Sequence, residues 1–122
     1  MSDALVLHFP TPISINVAYG NRKGGKGGGR YKTGDYRRWL ARADEALIQQ
    51  KHAWHNKEMS GPLALNIKLP VDTRGDVDNR IKVLSDYLVS RRLTGDDRHN
   101  QKVSVERADV PCCVVTITRA GE

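Results

Sequence analysis

The sequence lacks the features on which membrane and secreted proteins depend. No apolar run approaches the ~20 residues that a membrane-spanning helix needs. Residues 1–4 do not combine a basic stretch with a long apolar one, as a secretory signal would. The pattern therefore favours a cytoplasmic protein without a membrane role.

Cysteine is scarce, and the two cysteines, Cys112 and Cys113, are adjacent within an apolar run. Successive side chains of a strand point to opposite faces, so we do not expect a disulfide between them. His52 and His55 could join them on zinc, but the cysteine spacing is wrong for a structural zinc site. We interpret the cysteines as core or near-core residues and the histidines as solvated.

The chain is also too short for two domains. A length of 122 residues is enough for one hydrophobic core, so we expect a single domain over residues 1–122. Alternating apolar residues predict four strands, over residues 4–9, 63–69, 103–108 and 112–118. Apolar residues at helical spacing predict two main helices, from residue 33 or 35 to about 54 and from 76 to about 92. The fold class is α+β, a small mixed sheet of about four strands in the order β-α-β-α-β-β, with the last two strands as a hairpin.

Positive charge is what the chain has in excess, and it is concentrated in one segment. From Gly20 to Arg38 there are seven basic residues against one acid, Asp35, which accounts for the whole net charge of +6. Six glycines between Tyr19 and Tyr31 predict a flexible loop over about residues 19–32, which we call the basic arm. Such an arm favours a polyanionic partner such as DNA. We expect DNA contacts from Arg22, Lys23, Lys26, Arg30 and Lys32.

The basic arm is open to two other interpretations. Residues 20–27 nearly match a P-loop, but a glycine replaces the Ser or Thr that would hold Mg²⁺. We therefore expect no nucleotide cofactor. Tyr19 and Tyr31, which flank the arm, could stack on unpaired bases or anchor the ends of the loop to the core.

Acidic residues are concentrated in a second segment, where six of them lie within 26 residues: Asp72, Asp76, Asp78, Asp86, Asp96 and Asp97. Asp76 and Asp78 begin the second helix, where two close carboxylates repel unless a cation lies between them. Their oxygen ligands suit Mg²⁺ or Mn²⁺, and Asp97 could add a third carboxylate. Lys82 lies four residues after Asp78, on the same helix face. This set could hydrolyse a phosphodiester, with Lys82 stabilising the developing charge.

Each of these residues also has a more ordinary role. Aspartates at a helix start are commonly caps or dipole partners, and Asp78 with Lys82 could be a surface ion pair. Asp96 and Asp97 follow a glycine, as residues of a turn often do. Asp72 and Asp86 could support the site or a dimer, although loop and helix-surface roles are the default. The combination of these acids and Lys82 with a basic arm in one chain is rarer than any of these features alone.

The spacing resembles that of the RusA family of Holliday junction resolvases, which are crossover junction endodeoxyribonucleases. Residues 76–82, Asp-Val-Asp-Asn-Arg-Ile-Lys, match the family's D-x-D-N-x-x-K block, and the D-D pair that should follow some twenty residues later falls on Asp96 and Asp97. Residues 12–19, Pro-Ile-Ser-Ile-Asn-Val-Ala-Tyr, are similar to the family's P-x-S-x-N-x-x-Y segment. The resemblance extends from about Leu5 to Val105.

The resemblance implies a homodimer that requires Mg²⁺ or Mn²⁺ and binds four-way or branched DNA in recombination and repair. It implies that Asp76, Asp78 and Asp97 are the catalytic, metal-binding acids and that Lys82 is the catalytic lysine. Asn79 also matches, and we place it with the DNA-binding residues. The long glycine-rich arm and the basic residues after Asp97 depart from the family pattern and leave the substrate preference open. A non-catalytic DNA-binding protein and a metal nuclease for other branched DNA are the alternatives.

Overall fold

The computed structural model describes residues 4–21, 30–55, 59, 62–95 and 100–120. The elements in this part of the chain are β1 (Leu5–Phe9), α1 (Ile15–Ala18), β2 (Tyr19–Asn21), β3 (Arg30–Lys32), α2 (Gly34–Gln49), α3 (Lys51–Trp54), β4 (Leu63–Pro70), α4 (Asp78–Ser90), β5 (Asn100–Ala108) and β6 (Cys113–Arg119). No described helix has both the length and the apolar character needed to cross a membrane.

The four long strands form one mixed sheet in the order β1-β6-β4-β5, and β2 pairs with β3 in a separate ribbon. β4 and β5 are parallel, with Leu63 opposite Asn100 and Pro70 opposite Ala108, and α4 connects them. β6 runs antiparallel to both β1 and β4. β1, β4 and β5 therefore run in the same direction. Their carboxyl ends lie along one side of the sheet, which we call the carboxyl edge.

The core lies between one face of the sheet and the helices. Alternate residues of β4 point inward and are buried, among them Leu65 and Ile67. The buried helix residues that cover this face are Tyr36, Trp39, Ala43 and Leu47 of α2, with Val83, Leu84, Tyr87 and Leu88 of α4. Each large apolar side chain buried in this way stabilises the fold by about 1.5–3 kcal/mol. The α+β class and the mixed four-stranded sheet predicted from the sequence are confirmed.

The predicted hairpin between the last two strands is wrong. β4 lies between β5 and β6, so the two consecutive strands are not neighbours. Lys102, Glu106 and Arg107 of β5 are exposed, and charged residues suit a strand at the edge of a sheet. The largely uncharged β4 takes the central place instead.

The predicted long helix is interrupted at Gln50, which separates α2 from α3. The Gln50 side chain accepts a hydrogen bond from the His8 N–H at 2.7 Å and donates one to the His8 carbonyl at 2.6 Å. It thereby pairs with the backbone of β1, which lies at an edge of the sheet. The short elements α1, β2 and β3 were not predicted.

The two cysteines are confirmed as core and near-core residues. Cys113 is fully buried at the start of β6, Cys112 is half-buried, and both are free thiols. Burial raises the pKa of the Cys113 thiol to about 12, with a smaller contribution from Cys112. Cys113 therefore remains a neutral packing residue at physiological pH.

Asp44 joins α2 to α4. Its carboxylate accepts hydrogen bonds from the Tyr87 hydroxyl at 2.7 Å and from Nε and Nη2 of Arg91 at 2.6 and 2.9 Å. The Arg91 hydrogen bond, with help from Tyr87, holds the pKa of Asp44 below its ordinary value. Burial and the bond to Asp44 raise the pKa of Tyr87, which is 1% exposed.

Asp44→Ala is expected to lower the free energy of unfolding by about 2 kcal/mol, because the buried Tyr87 hydroxyl loses its acceptor. The Arg91 pair adds less, since its side chains are 35% and 41% exposed. A carboxylate with a lowered pKa stabilises the fold above its ordinary pKa of 3.8, and this contribution is lost as the pH falls through the lowered value. Urea melts of the wild type and Asp44→Ala should therefore differ more at neutral pH than in acid. An equal difference at both pH values would contradict the assignment.

Candidate active site

Asp76 and Asp78 lie on the loop that leads from the end of β4 into α4, at the carboxyl edge of the sheet. The turn after β4 closes with a hydrogen bond from the Thr73 N–H to the Pro70 carbonyl at 3.0 Å. Gly75 follows with a φ of +77°, a left-handed conformation that favours glycine. Both aspartates are exposed. The chain thus presents two carboxylates to solvent at the first turn of a helix.

The two aspartates are coupled through the backbone. Oδ1 of Asp76 accepts a hydrogen bond from the Asp78 N–H at 3.1 Å, and the Asp76 carbonyl accepts one from the Asn79 N–H at 3.3 Å. Asp76 therefore closes the turn from which Asp78 begins α4. The spacing predicted that the two carboxylates converge on one cation, and that convergence stays a prediction.

Two arginines that the sequence analysis did not single out hold this loop. Arg107 of β5 donates to the Thr73 carbonyl at 3.3 Å and to the Gly75 carbonyl at 2.6 Å. Arg80 of α4 donates to the Arg74 carbonyl at 2.9 Å and to the Pro12 carbonyl. The loop before Asp76 is therefore tied to the edge strand on one side and to the segment after β1 on the other.

Lys82 lies one turn after Asp78, and its ammonium pairs with Asp86 a further turn along α4. The Nζ–Oδ1 distance is 3.0 Å, and the two side chains are 58% and 35% exposed. An ion pair at this exposure contributes about 0–1 kcal/mol. Lys82 thus lies on the same helix face as Asp78, with its ammonium on Asp86.

The base of the basic arm lies beside this ion pair. β2 and β3 pair with Tyr19 opposite Lys32, and the Tyr19 ring packs edge-on against Tyr36 at 5.3 Å. Tyr19, Lys32, Tyr36 and Asp86 line one pocket of about 170 Å³. Burial, together with a hydrogen bond to Tyr19, raises the pKa of Tyr36, so the Tyr36 hydroxyl stays uncharged at physiological pH. Tyr19 thus anchors the arm to α2, next to Asp86.

The structure brings together Asp76, Asp78, Asn79 and Lys82 at the start of α4, with Lys32 near Asp86. Arg30 begins β3. Four predicted site residues lie outside the described part of the chain: Arg22, Lys23, Lys26 and Asp97. Within the described part, no three His, Cys, Asp or Glu residues form a metal-binding group. The roles assigned to the predicted residues therefore remain predictions.

The described neighbours of Asp97 lie far from the other two acids. The Leu93 N–H donates to the Leu88 carbonyl at 3.0 Å, so Gly95 follows closely on the carboxyl end of α4. On the other side, Asn100 pairs with Leu63 at the end of the sheet opposite the carboxyl edge. Asp78 begins α4, whose 13 residues span about 18 Å from first to last residue.

The donor set at the start of α4 is compatible with Mg²⁺ or Mn²⁺. Both carboxylates are exposed and offer hard oxygen ligands, which these ions prefer. Mg²⁺ also keeps several of its waters and is commonly held by one or two carboxylates with phosphate oxygens of the substrate. The chemistry of Asp76 and Asp78 therefore fits ligands of such an ion.

Comparison with known protein families gives a match, which covers most of the chain. The family model described as Endodeoxyribonuclease RusA matches residues 11–118, which include the segment after β1, the loop with Asp76 and Asp78, and Lys82. No curated protein matches the chain. Because the match covers most of the sequence, the chain belongs to the RusA family of endodeoxyribonucleases.

Proposed function

We propose that this protein is a metal-dependent endonuclease that resolves Holliday junctions by paired hydrolysis of phosphodiester bonds in DNA recombination and repair. The observation that carries the proposal is the Asp76–Asp78 turn, fixed by Arg80 and Arg107, in a chain of the RusA family. Asp76 and Asp78 would hold Mg²⁺ or Mn²⁺ against the scissile phosphate.

Each residue at the start of α4 has a distinct part in this proposal. The bound cation would polarise the phosphate and lower the pKa of the attacking water. Asp76 and Asp78 fix its position. Lys82 leaves Asp86 and donates hydrogen bonds to phosphate oxygens as their negative charge grows. Asn79 contacts the DNA backbone, and the basic arm, with Arg22, Lys23, Lys26, Arg30 and Lys32, binds further phosphates.

The substrate is tested with a panel of labelled DNAs in Mg²⁺ and in Mn²⁺: a four-way junction, a flap, a linear duplex and a single strand. The proposal predicts paired, symmetric cuts in the junction and little cutting of the duplex. Equal cutting of flaps would assign the protein to branched DNA in general. Junction binding without cuts in either metal would identify a non-catalytic DNA-binding protein instead.

We propose further that the protein acts as a homodimer whose sites join residues of two copies. Two symmetric cuts require two sites. The described neighbours of Asp97 lie about one helix length, ~18 Å, from Asp78, whereas ligands of one cation must converge within a few ångströms. We propose that Asp97, which lies outside the described residues, completes the site of the partner copy with Asp76 and Asp78 of that copy.

Mixing two inactive variants, Asp78→Asn and Asp97→Asn, is expected to restore nicking of the junction. In a mixed dimer, both substitutions fall in one shared site, and the other site has all its acids. Sites formed within single chains would each carry one substitution, and the mixture would stay inactive. The measurement is strand nicking after the two proteins are denatured and refolded together, with each variant treated alone as the control. An inactive mixture of verified mixed dimers would contradict the shared site.

A further inference from the structure

A cleft of about 640 Å³ lies at the carboxyl edge, between α2 and the segments that follow β1 and β5. None of the predicted site residues lines it. Its volume falls in the range of ligand-binding clefts, about 300–1,000 Å³. We call it the α2 cleft.

The inner wall of the α2 cleft is apolar and fixed. Trp39 is 4% exposed, and its indole N–H donates to the Pro10 carbonyl at 3.0 Å. The Trp39 ring also packs edge-on against Tyr87 at 5.3 Å. Pro10 and Ile13 line the same wall. Trp39 therefore supports the wall from beneath, and the half-buried Pro10 and Ile13 give the cleft a preformed apolar surface.

The rim of the α2 cleft is cationic. Arg38 and Arg42 lie one turn apart on α2, and both are exposed. Asp35 also lies on the rim and pairs with Arg38, but these side chains are 73% and 57% exposed, so the pair is readily exchanged. Guanidinium groups bind phosphate through paired hydrogen bonds. An apolar wall beneath two guanidinium groups is complementary to a sugar–phosphate backbone.

The α2 cleft is linked to the first turn of α4 through the segment after β1. Thr11 and Ile13 line the cleft, and the carbonyl of Pro12 between them accepts a hydrogen bond from Arg80. Arg80 lies two residues after Asp78, in the first turn of α4. The segment that lines the cleft therefore also contacts the helix turn that carries Asp78, and both lie at the carboxyl edge.

We propose that the α2 cleft binds the sugar–phosphate backbone of the DNA arm beside the cleaved bond, with Arg38 and Arg42 on its phosphates and Asp35 opposing them. This inference rests on the proposed function and extends it to a second contact surface. The contact is with the backbone, so it is independent of base sequence.

The test is the affinity for a fluorescently labelled four-way junction, measured by anisotropy in EDTA over a range of salt concentrations. Loss of one phosphate contact makes the slope of log K against log salt shallower by about 0.9, which corresponds to roughly tenfold weaker binding at about 0.1 M salt. Arg38→Ala and Arg42→Ala are each expected to show this change with junctions of two different arm sequences. Asp35→Asn removes the opposing charge and is expected to tighten binding about threefold.

Lys51→Ala is the matched control. Lys51 is an exposed cation in a helix, and at the rise of an α-helix it lies about 20 Å from Arg38. It should leave both the affinity and the slope unchanged. Opposite effects of Arg42→Ala and Asp35→Asn cannot both arise from loss of folding. Unchanged slopes in both arginine variants, or effects that depend on arm sequence, would overturn the cleft assignment. Retained metal-dependent cutting in those variants would leave the proposed function standing, whereas a wild-type protein that neither binds nor cuts would overturn both.

Discussion

Asp78→Asn is expected to reduce junction cleavage by at least about 10³-fold, the upper end of what removal of one charge-stabilising group costs. The amide keeps the size of the side chain but removes the charge that would hold the cation at the start of α4. The Asp78 N–H still donates to Asp76, so the turn should persist. Junction affinity in EDTA should stay the same or rise, because a negative charge near the phosphates is lost.

Asp109→Asn serves as the control for this variant. Asp109 is also exposed and follows β5 at the same carboxyl edge, but it lies outside the Asp76–Asp78 turn. Its cleavage rate should stay close to that of the wild type. If Asp78→Asn cut at the wild-type rate, or bound the junction more weakly than Asp109→Asn, the metal site would have to be placed elsewhere.

Lys82→Ala is expected to lower the single-turnover cleavage rate about 10²–10³-fold, with the metal concentration at half-maximal rate unchanged. The reason is that Lys82 acts on phosphate charge that develops during the reaction, whereas the carboxylates hold the cation. The measurement is the rate at several Mg²⁺ concentrations. A normal rate would remove Lys82 from the mechanism, and a shift in metal requirement alone would make it part of the metal site.

Asp86→Asn tests whether Asp86 acts by holding the reactive Lys82 in position. It removes the 3.0 Å ion pair with Lys82 but leaves the ammonium in place. We expect a smaller loss of rate, about tenfold, comparable to the loss of a residue that orients a reactive one. A loss as large as that of Lys82→Ala would show that Asp86 acts on the substrate or the metal directly.

The parts of the site that were predicted from the sequence are local in the chain. Asp76, Asp78 and Lys82 are spaced so that one helix start determines their relative positions. Their placement at the start of one helix could therefore be inferred without knowledge of the sheet, whereas the convergence of their side chains on one cation stays a prediction. The predicted strands and the second helix are local patterns too, and the structure has them within a few residues.

The features that were missed depend on contacts between distant segments. Arg80 and Arg107 bind backbone carbonyls of Pro12, Thr73 and Gly75, and no spacing in the sequence marks an arginine for this role. The interruption of the first long helix depends on the pairing of Gln50 with His8 in another element. These contacts form only after β1, α2 and α4 have packed.

The hairpin between the last two strands was predicted wrongly for the same reason, because strand pairing depends on contacts between distant segments. Residues 109–112 form a connection short enough for a hairpin, and short connections usually join neighbouring strands. β4 nevertheless pairs with both β5 and β6, because it belongs to the β4–α4–β5 crossover and has an uncharged, inward-facing side. The strand order therefore depends on pairing across the whole sheet and not on the short connection between β5 and β6.

The central claim, metal-dependent cutting at the Asp76–Asp78 turn, is tested most directly by adding metal back to the metal-free protein on a four-way junction. In EDTA, the account predicts that the protein binds the junction and leaves every strand intact. Added Mg²⁺ or Mn²⁺ should then produce two symmetric cuts by the wild type and none by Asp78→Asn. Cuts in EDTA, or intact strands with every divalent metal despite binding, would contradict the account.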